Sequence, residues 1–160
     1  MPLDGCFQIL HGFGMTLILR PRGRLMGQVT TWITVGSIFE AGREMQCKAL
    51  VDTGAYCLTL PAAWRDRFGA LPMSETVEVE MADGRVEKGE LCGPLKIQIA
   101  DFSAFAGNAL FIDMPLDDEG NYVPLIGYMT LEGARVAVDM VAHRLRRVPR
   151  VDLKRALRAA

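Results

Sequence analysis

Apolar and polar positions along this chain alternate mostly with a period of two, the period of β-strands. From Gln28 onward, Val29, Thr31, Ile33 and Val35 fall at alternate positions, with Thr30, Trp32 and Thr34 between them; Gly36 and Gly42 then bracket a turn. Residues 47–51 (CKALV) and 57–60 (CLTL) read as two more strands, joined through Asp52-Thr53-Gly54-Ala55. Residues 61–68 (PAAWRDRF) predict a short helix, because proline suits a first helical turn and Gly69 is placed to end it. Residues 77–81 (VEVEM) alternate strictly, with Val77, Val79 and Met81 on one face and Glu78 and Glu80 on the other. The Asp83-Gly84 pair that follows is a hairpin signal, and residues 86–91 return antiparallel. Further strands are predicted over 95–99, 109–112, 123–126, 135–138 and 144–148, with a loop over 117–121 and one or two helical turns over 128–132.

Many short strands separated by turn residues predict an all-β fold, a single closed barrel with a protruding hairpin and one short C-terminal helix. The chain has no repeat at a solenoid period and lacks the strand-helix alternation of a parallel α/β sheet. Residues 26–148 are read as the domain, 1–25 as a loosely attached N-terminal extension and 149–160 as a basic tail. In the extension, Asp4 precedes the apolar stretch 13–19 and Arg20, Arg22 and Arg24 follow it, the reverse of a secretory signal.

Half of the 160 residues are hydrophobic and 23% are charged, which suits the core of one domain and argues against global disorder. The net charge of -1 hides an asymmetry: residues 144–160 hold seven Lys/Arg and one acid, a local +6 that leaves -7 on the rest. Residues 143–158 contain no aromatic side chain, so stacking on bases is not expected; the segment reads as a solvated tail and nucleic acid is not the expected partner. No apolar run approaches the ~18–20 residues of a spanning helix, so no membrane span is expected. Cys6, Cys47, Cys57 and Cys92 show neither C-x-x-C spacing nor a nearby histidine. The reading is reduced thiols in a cytoplasmic protein, with no metal site.

The chemistry that stands out is Asp52-Thr53-Gly54. An apolar strand delivers the carboxylate to its end, Gly54 permits a sharp turn and a close approach, and Thr53 offers a hydroxyl and an N–H. Taken alone, the tripeptide reads first as an aspartate that fixes a strand-end turn through its own side chain; its wider context changes that reading. One carboxylate activates water poorly. Two that share a proton do it well, because like charges a few Å apart do not both ionise. Cys57 has no histidine close in sequence to serve as its base, so a cysteine nucleophile is disfavoured.

The order A-L-V-D-T-G-A, then L-T-L-P, then the V-E-V-E-M-A-D-G-R hairpin, then V-P-L-I-G-Y before a short helix, resembles the retroviral-type (retropepsin-like) aspartic proteases. It is most similar to their small stand-alone bacterial members, and the resemblance covers roughly residues 28–148. The resemblance implies that Asp52 is the catalytic aspartate, that Thr53 locks the two active-site loops across a dimer, and that Gly54 and Ala55 line the substrate backbone. It implies that Met81, Ala82, Asp83, Gly84 and Arg85 form the tip of a flap closing over substrate, and that Leu125, Ile126 and Gly127 support the active-site loop, with Ile126 contacting substrate. It implies a dimer interface built partly from residues 136–148, and no cofactor.

Two departures stand out. The acids that commonly follow D-T-G-A are replaced by Tyr56 and Cys57, and the arginine that commonly follows the later glycine is replaced by Tyr128. The ion pair that the family commonly has there is thus absent on both sides, leaving apolar and main-chain contacts to hold a dimer. The flap tip also has one glycine, Gly84, where viral flaps have more. Only one D-T-G is present, so the second carboxylate must come from a symmetric homodimer. The expected function is an aspartic endopeptidase acting on an extended peptide or protein substrate. The alternative is a non-hydrolytic dimerisation or peptide-binding module on the same fold.

Overall fold

Strand β1 (Thr30–Ser37) puts the alternation to use: Ile33 and Val35 are fully buried while Trp32, just before them on the alternate face, is 55% exposed. In the computed structural model, which describes residues 28–149, this strand is central to the packing. One edge pairs antiparallel with β2 (Glu44–Val51), with Ile33 opposite Cys47. The other edge pairs antiparallel with β5 (Val86–Ile99), with Ile33 opposite Ile99. The remaining elements are β3 (Leu58–Pro61), a 3-10 helix (Ala62–Phe68), β4 (Met73–Glu80), β6 (Phe105–Ile112), β7 (Leu125–Ile126), α1 (Tyr128–Gly133), β8 (Val136–Asp139) and β9 (Arg144–Arg147). The fold is mostly β with little helix.

The main sheet runs β1-β2-β7-β3-β6-β5-β4, and the β1–β5 pairing returns it to its first strand, leaving β4 outside that circuit. The two-residue β7 sits between β2 and β3, parallel to the first and antiparallel to the second. β8 and β9 form a separate two-stranded sheet. The interior is filled by Leu58, Leu60, Phe68, Ile97, Ile99 and Phe111, all at most 2% exposed. Each such side chain contributes about 1.5–3 kcal/mol by leaving water.

Several predicted elements change in the folded chain. The helix expected over 61–68 is a 3-10 helix that starts one residue later, because Pro61 ends β3 opposite Ile112. Gly69 terminates it with φ 70°. The strands expected over 86–91 and 95–99 are one strand, β5, whose register against β6 shifts between Cys92 and Leu95. Pro94 lies in that interval and has no N–H to give a ladder, so the pairing resumes beyond it. The strand expected over 109–112 begins at Phe105, since Phe105, Ala106 and Gly107 pair with the second half of β5.

Of the two tryptophans expected in a core or interface, Trp32 lies on the outer face. Trp64 is half-buried and packs edge-on against Tyr122 with ring centroids 5.7 Å apart. In the β1–β2 turn, the Glu40 carboxylate accepts the Ala70 N–H at 3.0 Å and pairs with Arg43, which donates in turn to the Asp66 carbonyl at 3.3 Å. That cluster fastens the turn to the end of the 3-10 helix. No helix among the described residues is long and apolar enough to cross a membrane. The N-terminal extension, Met26, Cys6 and the tail beyond residue 149 lie outside the described residues.

Candidate active site

β2 carries its apolar residues straight into Asp52. Leu50 donates to the Pro124 carbonyl at 2.8 Å and Asp52 donates to the Ile126 carbonyl at 3.0 Å, so the end of β2 is zipped to β7 on both sides of Val51. Beyond Asp52 the chain turns sharply. The Gly54 N–H donates to Asp52 Oδ1 at 2.9 Å and the Ala55 N–H donates to the Asp52 carbonyl at 3.1 Å. One carboxylate oxygen is thereby fixed by the loop's own backbone. Thr53 and Gly54 are exposed at the turn, and Asp52 is half-buried beneath it.

The loop then runs over the end of β7 and the start of α1. Gly127 donates to the Cys57 carbonyl at 3.1 Å, Tyr128 to the Ala55 carbonyl at 3.0 Å and Met129 to the Tyr56 carbonyl at 3.1 Å. The first N–H groups of a helix have no partner within it. Here no side chain caps α1, and the carbonyls of residues 55 and 56 take that role. The approach is tight: a Cβ on Gly127 would lie 2.5 Å from the Ala55 carbonyl oxygen and 2.6 Å from the Cys57 nitrogen. Only glycine fits there.

Above Asp52 lies a cleft of about 760 Å³. Its apolar wall is the predicted face of β4, Val77 and Val79 with Met81, packed against Cys57, Leu110 and Ile112. The hairpin tip is a five-residue connection: Gly84 donates to the Met81 carbonyl at 2.8 Å, and Met81 donates to the Arg85 carbonyl at 2.7 Å. Gly84 has φ +82° with open space around it. Met81 and Arg85 thus pair with each other, leaving residues 82–84 as a three-residue loop that ends in a left-handed glycine, not the two-residue turn that Asp-Gly most often marks. The Asp83 carboxylate accepts from both the backbone N–H and the side-chain Nε–H of Arg85. The Arg85 guanidinium holds the Asp83 carboxyl below the usual range.

The cleft gathers some of the expected site residues and leaves others out. Asp52, Gly54, Ala55, Met81 and Ala82 line it. Asp83, Gly84 and Arg85 sit at the exposed hairpin tip and are not among the lining residues. Ile126 is fully buried in the core, and its neighbour Leu125 lines the cleft instead. Thr59, Leu91 and Leu110 are lining residues that motif reasoning did not single out, and Tyr56, noted there only as a departure from the motif, lines the cleft as well. Glu78 and Glu80 border the cleft from the alternate face of β4, Asp52 lies at its floor, and no Lys, Arg or His stands among the lining residues.

The other chemically interesting groups are quiet. Burial pushes the Cys57 thiol up to about 11, as it does Cys47. Neither is a thiolate near neutral pH. Among the described residues, no three His, Cys, Asp or Glu side chains gather into a metal-ligating group. Tyr56 and Tyr128, at the two positions where the resemblance led to an ion pair, meet edge-on with centroids 5.7 Å apart.

No protein-family model matches the chain, and no curated protein matches it. Among solved structures it is similar to an EIAV protease complexed with the inhibitor HBY-793, with a TM-score of 0.49 and 18% identity over 69% of this chain and 90% of that one.

Proposed function

We propose that the protein is an aspartic endopeptidase that works as a homodimer, with Asp52 and its symmetry copy as the two carboxylates. The observation that carries this reading is the setting of Asp52: a carboxylate held by a Gly54 N–H at the floor of an apolar-walled cleft beneath a hairpin. One Asp-Thr-Gly per chain and a two-fold axis at the cleft give a pair of carboxylates that shares one proton. The ionised member takes a proton from a water as that water attacks the scissile carbonyl. The protonated member donates to the developing oxyanion, and the leaving amine is then protonated. The fixed Asp52 Oδ1 orients the carboxylate before substrate arrives.

In this reading the substrate binds as an extended strand. Its main chain pairs along the hairpin, and alternate side chains enter the apolar wall formed by Val77, Val79, Leu110 and Ile112. Thr53, exposed beside the aspartate, is assigned the contact between the two loops across the dimer axis.

The test is cleavage of a mixed peptide library, read by mass spectrometry at about pH 5, where a shared proton is retained. Wild type and Asp52→Asn are compared. Cuts made by the wild type alone support the reading. Identical cut patterns, or none from either protein across the acidic range, reject it and favour the non-hydrolytic peptide-binding module.

A further inference from the structure

We propose that Tyr56, braced by Tyr128, is a specificity-determining residue of the cleft: its ring forms an apolar subsite for a bulky aliphatic or aromatic side chain of an extended peptide. The inference rests on reading the Asp52 cleft as a peptide site. It goes further by naming which side chain of this protein selects, and what it selects.

Tyr56 is flanked by a half-buried Ala55 and a buried Cys57, yet it is 55% exposed and lines the cleft. The loop thus turns a large ring outward between two inward-facing neighbours. That exposure is not looseness. The Tyr56 carbonyl is tied to the Met129 N–H at 3.1 Å and the adjacent Ala55 carbonyl to the Tyr128 N–H at 3.0 Å. The ring itself meets Tyr128 at an interplanar angle of 80°. A ring held in place before binding loses little freedom when a ligand packs on it.

The surroundings decide the chemistry. Leu125, Thr59 and the β4 face of Val77 and Val79 line the same cleft, so a hydrocarbon side chain laid on the ring leaves water on several sides. No Lys, Arg or His lines the cleft, so an acidic side chain that leaves water there finds no cation to hold it. Tyr128 acts through Tyr56 and is a positioning residue.

The test separates this proposal from hydrolysis by measuring binding in the Asp52→Asn background. An array of extended peptides is varied one position at a time over Gly, Glu, Lys, Leu and Phe. At one position Leu and Phe are expected to bind at least about tenfold more tightly than Gly or Glu, the scale of a well-filled apolar pocket. Adding Tyr56→Ala should collapse that preference to within about twofold, while Tyr56→Phe keeps it, because the ring and not the hydroxyl carries the contact. Thermal melts of the three proteins confirm that the exposed substitution leaves the fold intact. Selectivity unchanged in Tyr56→Ala overturns the proposal, as does a preference for Lys at that position or no binding of any peptide. Tyr56-dependent selection with peptides that the wild type never cuts upholds the subsite and removes the protease reading instead.

Discussion

Gly127 and Ala55 approach so closely that a Cβ on the glycine would stand 2.5 Å from the Ala55 carbonyl oxygen. Around this contact the Asp52 loop, the end of β7 and the start of α1 share their backbone hydrogen bonds. Gly127→Ala must therefore push the loop off the helix. Overpacking of this kind costs about 1–3 kcal/mol, and the three backbone bonds nearby raise it toward the upper end. A urea midpoint within error of wild type would show that the loop yields freely and that the geometry of Asp52 does not depend on this contact.

Gly84 provides a contrast. Its φ of +82° favours glycine, but nothing lies within 4 Å of its missing Cβ. Gly84→Ala should cost only the left-handed conformational penalty, about 1–2 kcal/mol, confined to the hairpin. If the hairpin holds substrate as proposed, this raises KM with little change in kcat. A loss in kcat alone would assign the tip a different role.

The Asp52 end of β2 was legible in the sequence, because an apolar strand running into Asp-Thr-Gly and a second apolar segment closing on glycine are local patterns. The apolar face of β4 was legible for the same reason. Ile126 was not. A strand as short as β7 has no alternation to read, and a shift of one residue exchanges its buried and open faces. Only the pairing of Val51 with Ile126 fixes Leu125 toward the cleft. The Tyr56–Tyr128 contact leaves no periodic trace, and only the resemblance, through its ion-pair positions, set the two residues side by side. The unity of β5 was masked by Gly93-Pro94, a turn signal that the fold absorbs as a register shift.

Glu40 makes stability depend on pH. The Ala70 N–H, then the Arg43 side chain, lower its pKa in the folded state. Its contribution is therefore present above the unfolded glutamate pKa and is lost as pH falls through the lower folded value. Wild type should have a higher urea midpoint than Glu40→Gln at pH 7, and the gap should shrink as pH falls below the ordinary glutamate range. A gap that stays constant from pH 7 down into strong acid would mean that the carboxylate's charge is not what fastens the turn to residue 70.

The thiol of Cys57 should stay unmodified. With its pKa pushed up to about 11 by burial, iodoacetamide at pH 8 should label it only after unfolding. Peptide mapping resolves it from the other cysteines. Rapid labelling in the native state would reopen a nucleophilic role for this residue beside Asp52.

The central claim is that two Asp52 carboxylates, one from each subunit, form one catalytic centre. Wild-type and Asp52→Asn subunits should be mixed at constant total protein, allowed to exchange, and assayed on a peptide the wild type cuts. If each centre needs both carboxylates, an equal mixture retains about one quarter of the wild-type activity, because only homodimers of the wild type work. Activity that falls in proportion to the wild-type fraction, leaving about one half, would mean that each subunit acts alone and would contradict the shared centre.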